Sequence, residues 1–175
     1  KVGGRSCVIS QTGFSGESGY EIYLRNATLY ADDMWDAVLE AGKKHNLMVI
    51  APAHHRRIQA GILSWGQDLD HEHNPFQCNL GYQVSLSGKG EWEKKGDYIG
   101  KQALEKMKTD LKDGHKPYKL QLVGFEIGGK PIDEYAPDFW LVSPGDGGDP
   151  CGFITSPWYH PEKGKNIAMG YIPFD

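Results

Sequence analysis

The hydrophobic period of this chain changes once, and that change limits what it can fold into. Before Pro117 the clearest apolar pattern has helical steps, as in "TLYADDMWDAVLEAGKK", where Ala31, Met34, Trp35, Val38 and Leu39 fall on one side. After Pro117 the apolar residues alternate in short runs, "YKLQLVGFEI", "FWLVS", "CGFITS" and "NIAMGYI", separated by Gly, Pro and Asp turns. Alternation of this kind marks strands with one face inward, so the second part is predicted to be all-β, as a sandwich or a barrel. The fold class is therefore α+β, an α+β part followed by a β part.

Within the first part, residues 5–10 and 19–25 read as two strands joined by "TGFSGES", a hairpin-like unit. In the second strand Tyr20, Ile22 and Leu24 share one face, and Glu21, Tyr23 and Arg25 share the other. One face is expected to be core and the other a site. The amphipathic helix follows, with acids expected in its first turns and Gly42 at its end. Pro52 suits the first turn of another helix, to about Ile62. Residues 67–81 read as loop, Tyr82 to Leu86 as a strand, and Ile99, Ala103, Leu104, Met107 and Leu111 as the stripe of a further helix. The charged "SGKGEWEKKGD" carries the domain boundary, placing one domain at 1–92 and another at 93–175. A strand only four residues from the start is what a piece of a longer protein would show.

Charge narrows the partners. A net charge of -4 disfavours a general nucleic-acid binder, which needs clustered Lys and Arg to neutralise phosphates. No apolar run reaches the roughly 20 residues that span a bilayer, and "KVGGRSCVIS" lacks the regions of a signal peptide. Cys7, Cys78 and Cys151 are odd in number and far apart, so they are expected as free thiols in a reducing compartment, the cytoplasm.

Gly13, Gly16 and Gly19 resemble a phosphate cradle only superficially. The spacing is GxxGxxG, no Lys-Ser or Lys-Thr follows, and a strand comes next, so a tight turn is the expectation. Glu21 is what a plain turn leaves unexplained. A carboxylate in mid-strand, with Tyr23 two residues on and Phe14 in the turn, has the parts to hold a flat ring that presents adjacent N–H donors, such as a pterin. The competing reading is a solvated strand face. His54 and His55 point about 100° apart on a helix, and His71 and His73 have no third ligand at a recognisable interval, so no metal site is expected. Neither GxSxG nor SxxK is present to suggest a hydrolase.

Four segments, "TGFSGESGYEIY", "RRIQAGILSWGQDLD", "IGKQAL" and "TSPWYHPEKGKNIAMGYIP", together resemble one family in order across nearly the whole chain. It is the folate-binding glycine-cleavage T-protein (aminomethyltransferase) superfamily. The resemblance implies a ferredoxin-like folate-binding portion, then a truncated C-terminal antiparallel β-barrel domain, and tetrahydrofolate as cofactor. By position, Glu21 matches the pterin-binding glutamate, Phe14 the aromatic of the glycine turn, Tyr23 a site-facing residue, and Arg57 the arginine of the helix. No catalytic residue is implied in this chain, since the family's catalytic aspartate lies in an N-terminal portion that would complete the site. The helix departs from the family at Ala53, where an additional folate-contacting arginine is usual.

"RIQAGILSWGQD" and "NPFQCNLG" are similar to the demethylase branch, which moves a methyl group from dimethylsulfoniopropionate or aryl methyl ethers to tetrahydrofolate. The first expectation is thus methyl transfer from a small donor, with no turnover by this portion alone. The alternatives are an aminomethyltransferase of glycine cleavage and a non-catalytic folate-binding module. The last resembles an iron–sulfur maturation branch, whose cysteine-bearing motif is absent around Asp97.

Overall fold

Strand propensity and turn chemistry place the first elements where the alternation puts them. A computed structural model describes residues 1–86, 96–136, 138–145 and 147–174, and these fall into two compact units, Lys1–Ile62 and Leu63–Asp175. The boundary expected between residues 92 and 93 lies outside the described residues.

In the first unit, β1 (Cys7–Ser10) and β2 (Glu21–Leu24) form an antiparallel pair with Ser10 opposite Glu21 and Val8 opposite Tyr23. Helix α1 (Ala27–Gly42) follows, starting after Asn26 in the left-handed region and ending in one 3-10 turn, Lys43–His45. Its first turn holds no acid, and Asp32 and Asp33 follow in the second. Asp33 pairs with Arg5, whose guanidinium also sits 4.0 Å over the Tyr30 ring. Helix α2 is shorter than expected, His54–Gln59, because Ala53 lies outside helical geometry at φ -94 and ψ 89 and Gly61 turns left-handed at φ 70.

Tyr20 and Ile22, expected as core, are 70% and 40% exposed. Two strands alone cannot close both faces of a sheet. Nor is the sheet of a ferredoxin-like layer present among the described residues, since this unit has only β1 and β2. Met34 and Ile58 are its buried apolar side chains among the described residues.

The second unit is built on an antiparallel sheet in the order β3-β6-β5-β4, from β3 (Leu120–Ile127), β4 (Trp140–Val142), β5 (Gly152–His160) and β6 (Lys165–Pro173). The order leaves β3 and β4 as edges, so the described strands form an open sheet rather than the barrel expected. β4 pairs over only three residues, too short an edge to carry the sheet round to β3. β5 continues past a bulge between Ile154 and Ser156 and through Pro157 to His160. Tyr159 N donates to Ile132 O, on the side away from β6, and alternation puts the proline nitrogen on that same side. Pro157 therefore removes no hydrogen bond from the β5–β6 ladder. At Gly170 a Cβ would run into the Phe153 carbonyl, which is why β5 and β6 approach so closely there.

Helix α3 (Lys101–Lys112) half-buries Leu104, Met107 and Leu111, while Ile99 precedes its cap and is fully exposed. The expected strand over 82–86 is instead a 3-10 turn, Gly81–Gln83, followed by unpaired extended chain. The backbone before it turns left-handed at Asn79 and is pinned to β3, since Asn79 Nδ2 donates to Leu122 O at 2.8 Å. No described helix is long and apolar enough to cross a membrane.

A buried carboxylate joins the loop to the sheet. Asp68 is 1% exposed; its Oδ1 accepts from Thr155 Oγ1 and Ser156 Oγ, each at 2.5 Å, and its Oδ2 accepts from Ser64 N at 2.8 Å. The Tyr171 hydroxyl donates to the Asp68 carbonyl at 2.7 Å. An amide at position 68 keeps only one acceptor oxygen and turns an N–H₂ toward a donor. Asp68→Asn is expected to cost about 2–3 kcal/mol in urea unfolding, because a buried donor is left unpaired. In the first unit, Gly16 has φ 80, and a Cβ there would fall on the Ala60 methyl. Gly16→Ala is expected to cost about 2 kcal/mol or more by the same measurement, from left-handed strain and overlap together.

Candidate functional site

The alternation of β2 puts Glu21 and Tyr23 on one face, and the pairing adds Val8 and Ser10 to it. Thr12, two residues beyond Ser10 and past the end of β1, reaches that face from the entry to the glycine turn. Its Oγ1 donates to Glu21 Oε2. The Tyr23 hydroxyl donates to that same oxygen at 3.1 Å. Glu21 is half-buried, and its Oε1 takes no hydrogen bond among the described residues. The result is a carboxylate with one oxygen fixed by two hydroxyls and the other left as an acceptor.

The turn is held from the other side by α2. Glu17 Oε1 accepts from Arg56 Nη1 at 3.0 Å, and Gly16 packs against Ala60. Arg57 is 1% exposed. Its Nη1 donates to Ile62 O at 3.1 Å and its Nε to His54 Nδ1 at 3.2 Å, and its guanidinium lies 5.4 Å from the centre of the Phe14 ring. A buried cation this close to an aromatic face supports the ring by cation–π attraction and packing. Phe14 itself is 40% exposed.

The four residues singled out in the sequence thus form two pairs. Glu21 and Tyr23 meet through a hydrogen bond, so Tyr23 does more than line a surface, and Phe14 and Arg57 meet through the ring face. Thr12 and Glu17 were missed because both sit in what the sequence marks as turn. An exposed aromatic and an oriented carboxylate can bind a flat, hydrogen-bond-donating ring, and the donor set is too sparse for a metal.

The second unit holds a cavity of about 270 Å³ bordered by Trp65, His71, His73 and Cys78. His73, expected to be solvent-exposed, is half-buried, tilted 4.8 Å from the Tyr171 ring and 2.8 Å from Asp70. The Glu72 N–H and then the His73 ring hold the Asp70 carboxyl below its usual range. Burial pushes the Cys78 thiol up, so it stays a neutral thiol and a poor nucleophile at neutral pH. Burial, with the Cys78 contact next, likewise pushes the Tyr171 hydroxyl far up, which keeps it a donor to Asp68.

Comparison with known proteins gives a consistent result. Residues 1–88 match the family model described as the GCVT N-terminal domain. The aminomethyltransferase of Caldanaerobacter subterraneus subsp. tengcongensis is 31% identical over 174 residues, covering 98% of this chain and 41% of the relative. The aminomethyltransferase of Symbiobacterium thermophilum is 34% identical over 170 residues, covering 95% and 40%. This chain therefore spans about two fifths of the length of the curated relatives it matches. The crystal structure of the glycine cleavage system aminomethyltransferase T from Bartonella henselae superposes with a TM-score of 0.61 at 23% identity, over 94% of this chain and 41% of that one, a likeness of fold. With just over half of its residues matched by that model, the chain belongs to the GCVT family.

Proposed function

We propose that the protein carrying this chain is an enzyme, a tetrahydrofolate-dependent one-carbon transferase, and that the chain supplies the part of its site that grips the pterin. The observation that carries this reading is Glu21, half-buried on the β2 face with Oε2 held by two hydroxyls and Oε1 open to a donor. A pterin ring offers adjacent N–H donors and a flat face, and the residues present fit both. Glu21 would accept from the ring edge, and Phe14, supported by Arg57, would pack on its face. Because Arg57 is buried under Phe14, its part is to position that ring rather than to touch the cofactor. When bound, tetrahydrofolate supplies the nitrogen that accepts the carbon; the side chains here contribute orientation and exclusion of water.

The aminomethyl donor is better supported than the methyl donor. The relatives that match nearly all of this chain bear the name aminomethyltransferase, and none of the features at Glu21, Phe14 or Arg57 separates the two donors. The demethylase reading leans on Ala53 and on the "RIQAGILSWGQD" and "NPFQCNLG" patterns alone. The small-molecule donor and the catalytic carboxylate would meet the cofactor on protein outside this chain. In support, Val8, Ile9, Tyr20 and Ile22 leave the β1–β2 pair half open to solvent on both faces, and a hairpin so exposed gains from a further layer. Three free thiols suit a reducing compartment such as the cytoplasm.

The test is calorimetric titration of tetrahydrofolate into the natural protein and its Glu21→Ala variant. Wild-type binding that weakens at least about tenfold in the variant, or about 1.4 kcal/mol, supports the reading, and equal affinities would sink it. Turnover with an aminomethyl donor, and none with a sulfonium or aryl methyl ether donor, is the expected pattern. The reverse pattern would restore the demethylase reading.

A further inference from the structure

We infer that Thr12 is a positioning residue for Glu21: its hydroxyl holds the carboxylate in the one orientation that presents Oε1 to a bound ring. This rests on the functional reading above and adds a residue to it.

Thr12 lies just past the end of β1, beyond a bend at Gln11, and next to the Ser10–Glu21 pair. From there Oγ1 reaches across to Oε2, the oxygen already taking the Tyr23 hydroxyl at 3.1 Å. A carboxylate oxygen has about two lone-pair sites, so two donors fill Oε2. Incoming N–H groups are thereby directed to Oε1. Oε1 keeps both of its own lone-pair sites open for the ring donors.

Both hydroxyls belong to side chains with restricted motion. Thr12 is β-branched, which stiffens χ1, and the Tyr23 ring is a rigid body with two torsions. Glu21, by contrast, has three torsions and would sample several rotamers on a face that carries exposed Val8 and Tyr23. Fixing it before the ligand arrives lowers the ordering cost of binding, the usual source of gain from preorganisation. Neither hydroxyl carries charge, so they steer the carboxylate without neutralising it.

The experiment compares tetrahydrofolate affinity, by calorimetry, in the natural protein and in Thr12→Val, Thr12→Ser, Glu21→Ala and the Thr12→Val/Glu21→Ala double variant. Valine keeps the shape and removes the hydroxyl. Thr12→Val is expected to bind about fivefold to tenfold more weakly, while Thr12→Ser stays within about twofold of wild type. On the Glu21→Ala background the valine change is expected to shift affinity by less than about twofold, because it has no carboxylate left to act through. Thermal unfolding of each variant identifies any that fails to fold, and Thr12→Ser then carries the comparison through its retained hydroxyl.

Wild-type binding with Thr12→Val unchanged overturns the role of Thr12 alone. A loss of equal size with and without Glu21 also overturns it, since Thr12 would then act on the turn as a whole. Wild-type protein that does not bind tetrahydrofolate at all overturns the functional reading and this inference together.

Discussion

The pairing of Ser10 with Glu21 is the constraint on which the candidate site depends. Side chains in a strand alternate, so this one register puts Val8, Ser10, Glu21 and Tyr23 on a single face, and a slip of one residue would send Val8 and Ser10 to the opposite side. A two-stranded pair has little core to enforce its register. The enforcement comes from the ends. At one end Arg5 binds Asp33 and covers Tyr30 of α1, and at the other the glycine turn is held by Ala60 and by the Arg56–Glu17 pair. The face that carries Glu21 is thus fixed by contacts with α1 and α2.

Among the described residues, Arg57 in the first unit and Asp68 in the second are buried, and each has hydrogen-bond partners. Arg57 donates to a carbonyl and a histidine, and Asp68 accepts from two hydroxyls and a backbone N–H. Burying a charge is costly unless its hydrogen bonds are restored, so both arrangements tolerate little substitution. They serve different ends. Arg57 stiffens the floor beneath an exposed aromatic ring, whereas Asp68 pins a loop to β5 and lets an otherwise irregular segment keep one shape.

What the sequence made legible follows the same division. Alternation located β3 to β6 and the shared face of Glu21 and Tyr23, and helical period located α1, because each is a property of neighbouring residues. The Thr155 and Ser156 partners of Asp68 lie 87 and 88 positions away, and no local pattern announces them. The expected strand at 82–86 fails for a related reason. Its residues suit a strand, but strand formation needs an available edge, and the anchoring of Asn79 to Leu122 curls the preceding backbone. Thr12 was hidden by the glycines beside it, because its partner Glu21 is nine positions away across the turn.

Ala53 is a departure that the fold does not require. It caps α2, and its carbonyl accepts from the Arg56 and Arg57 N–H groups, bonds that any residue with that backbone would make. An arginine there would add a cation at the helix start without being needed for the helix, so its absence has a consequence only for what the site binds. In the proposed reading Glu21 and Phe14 would hold the ring without position 53, so Ala53 would remove one contact from that grip and leave the rest in place.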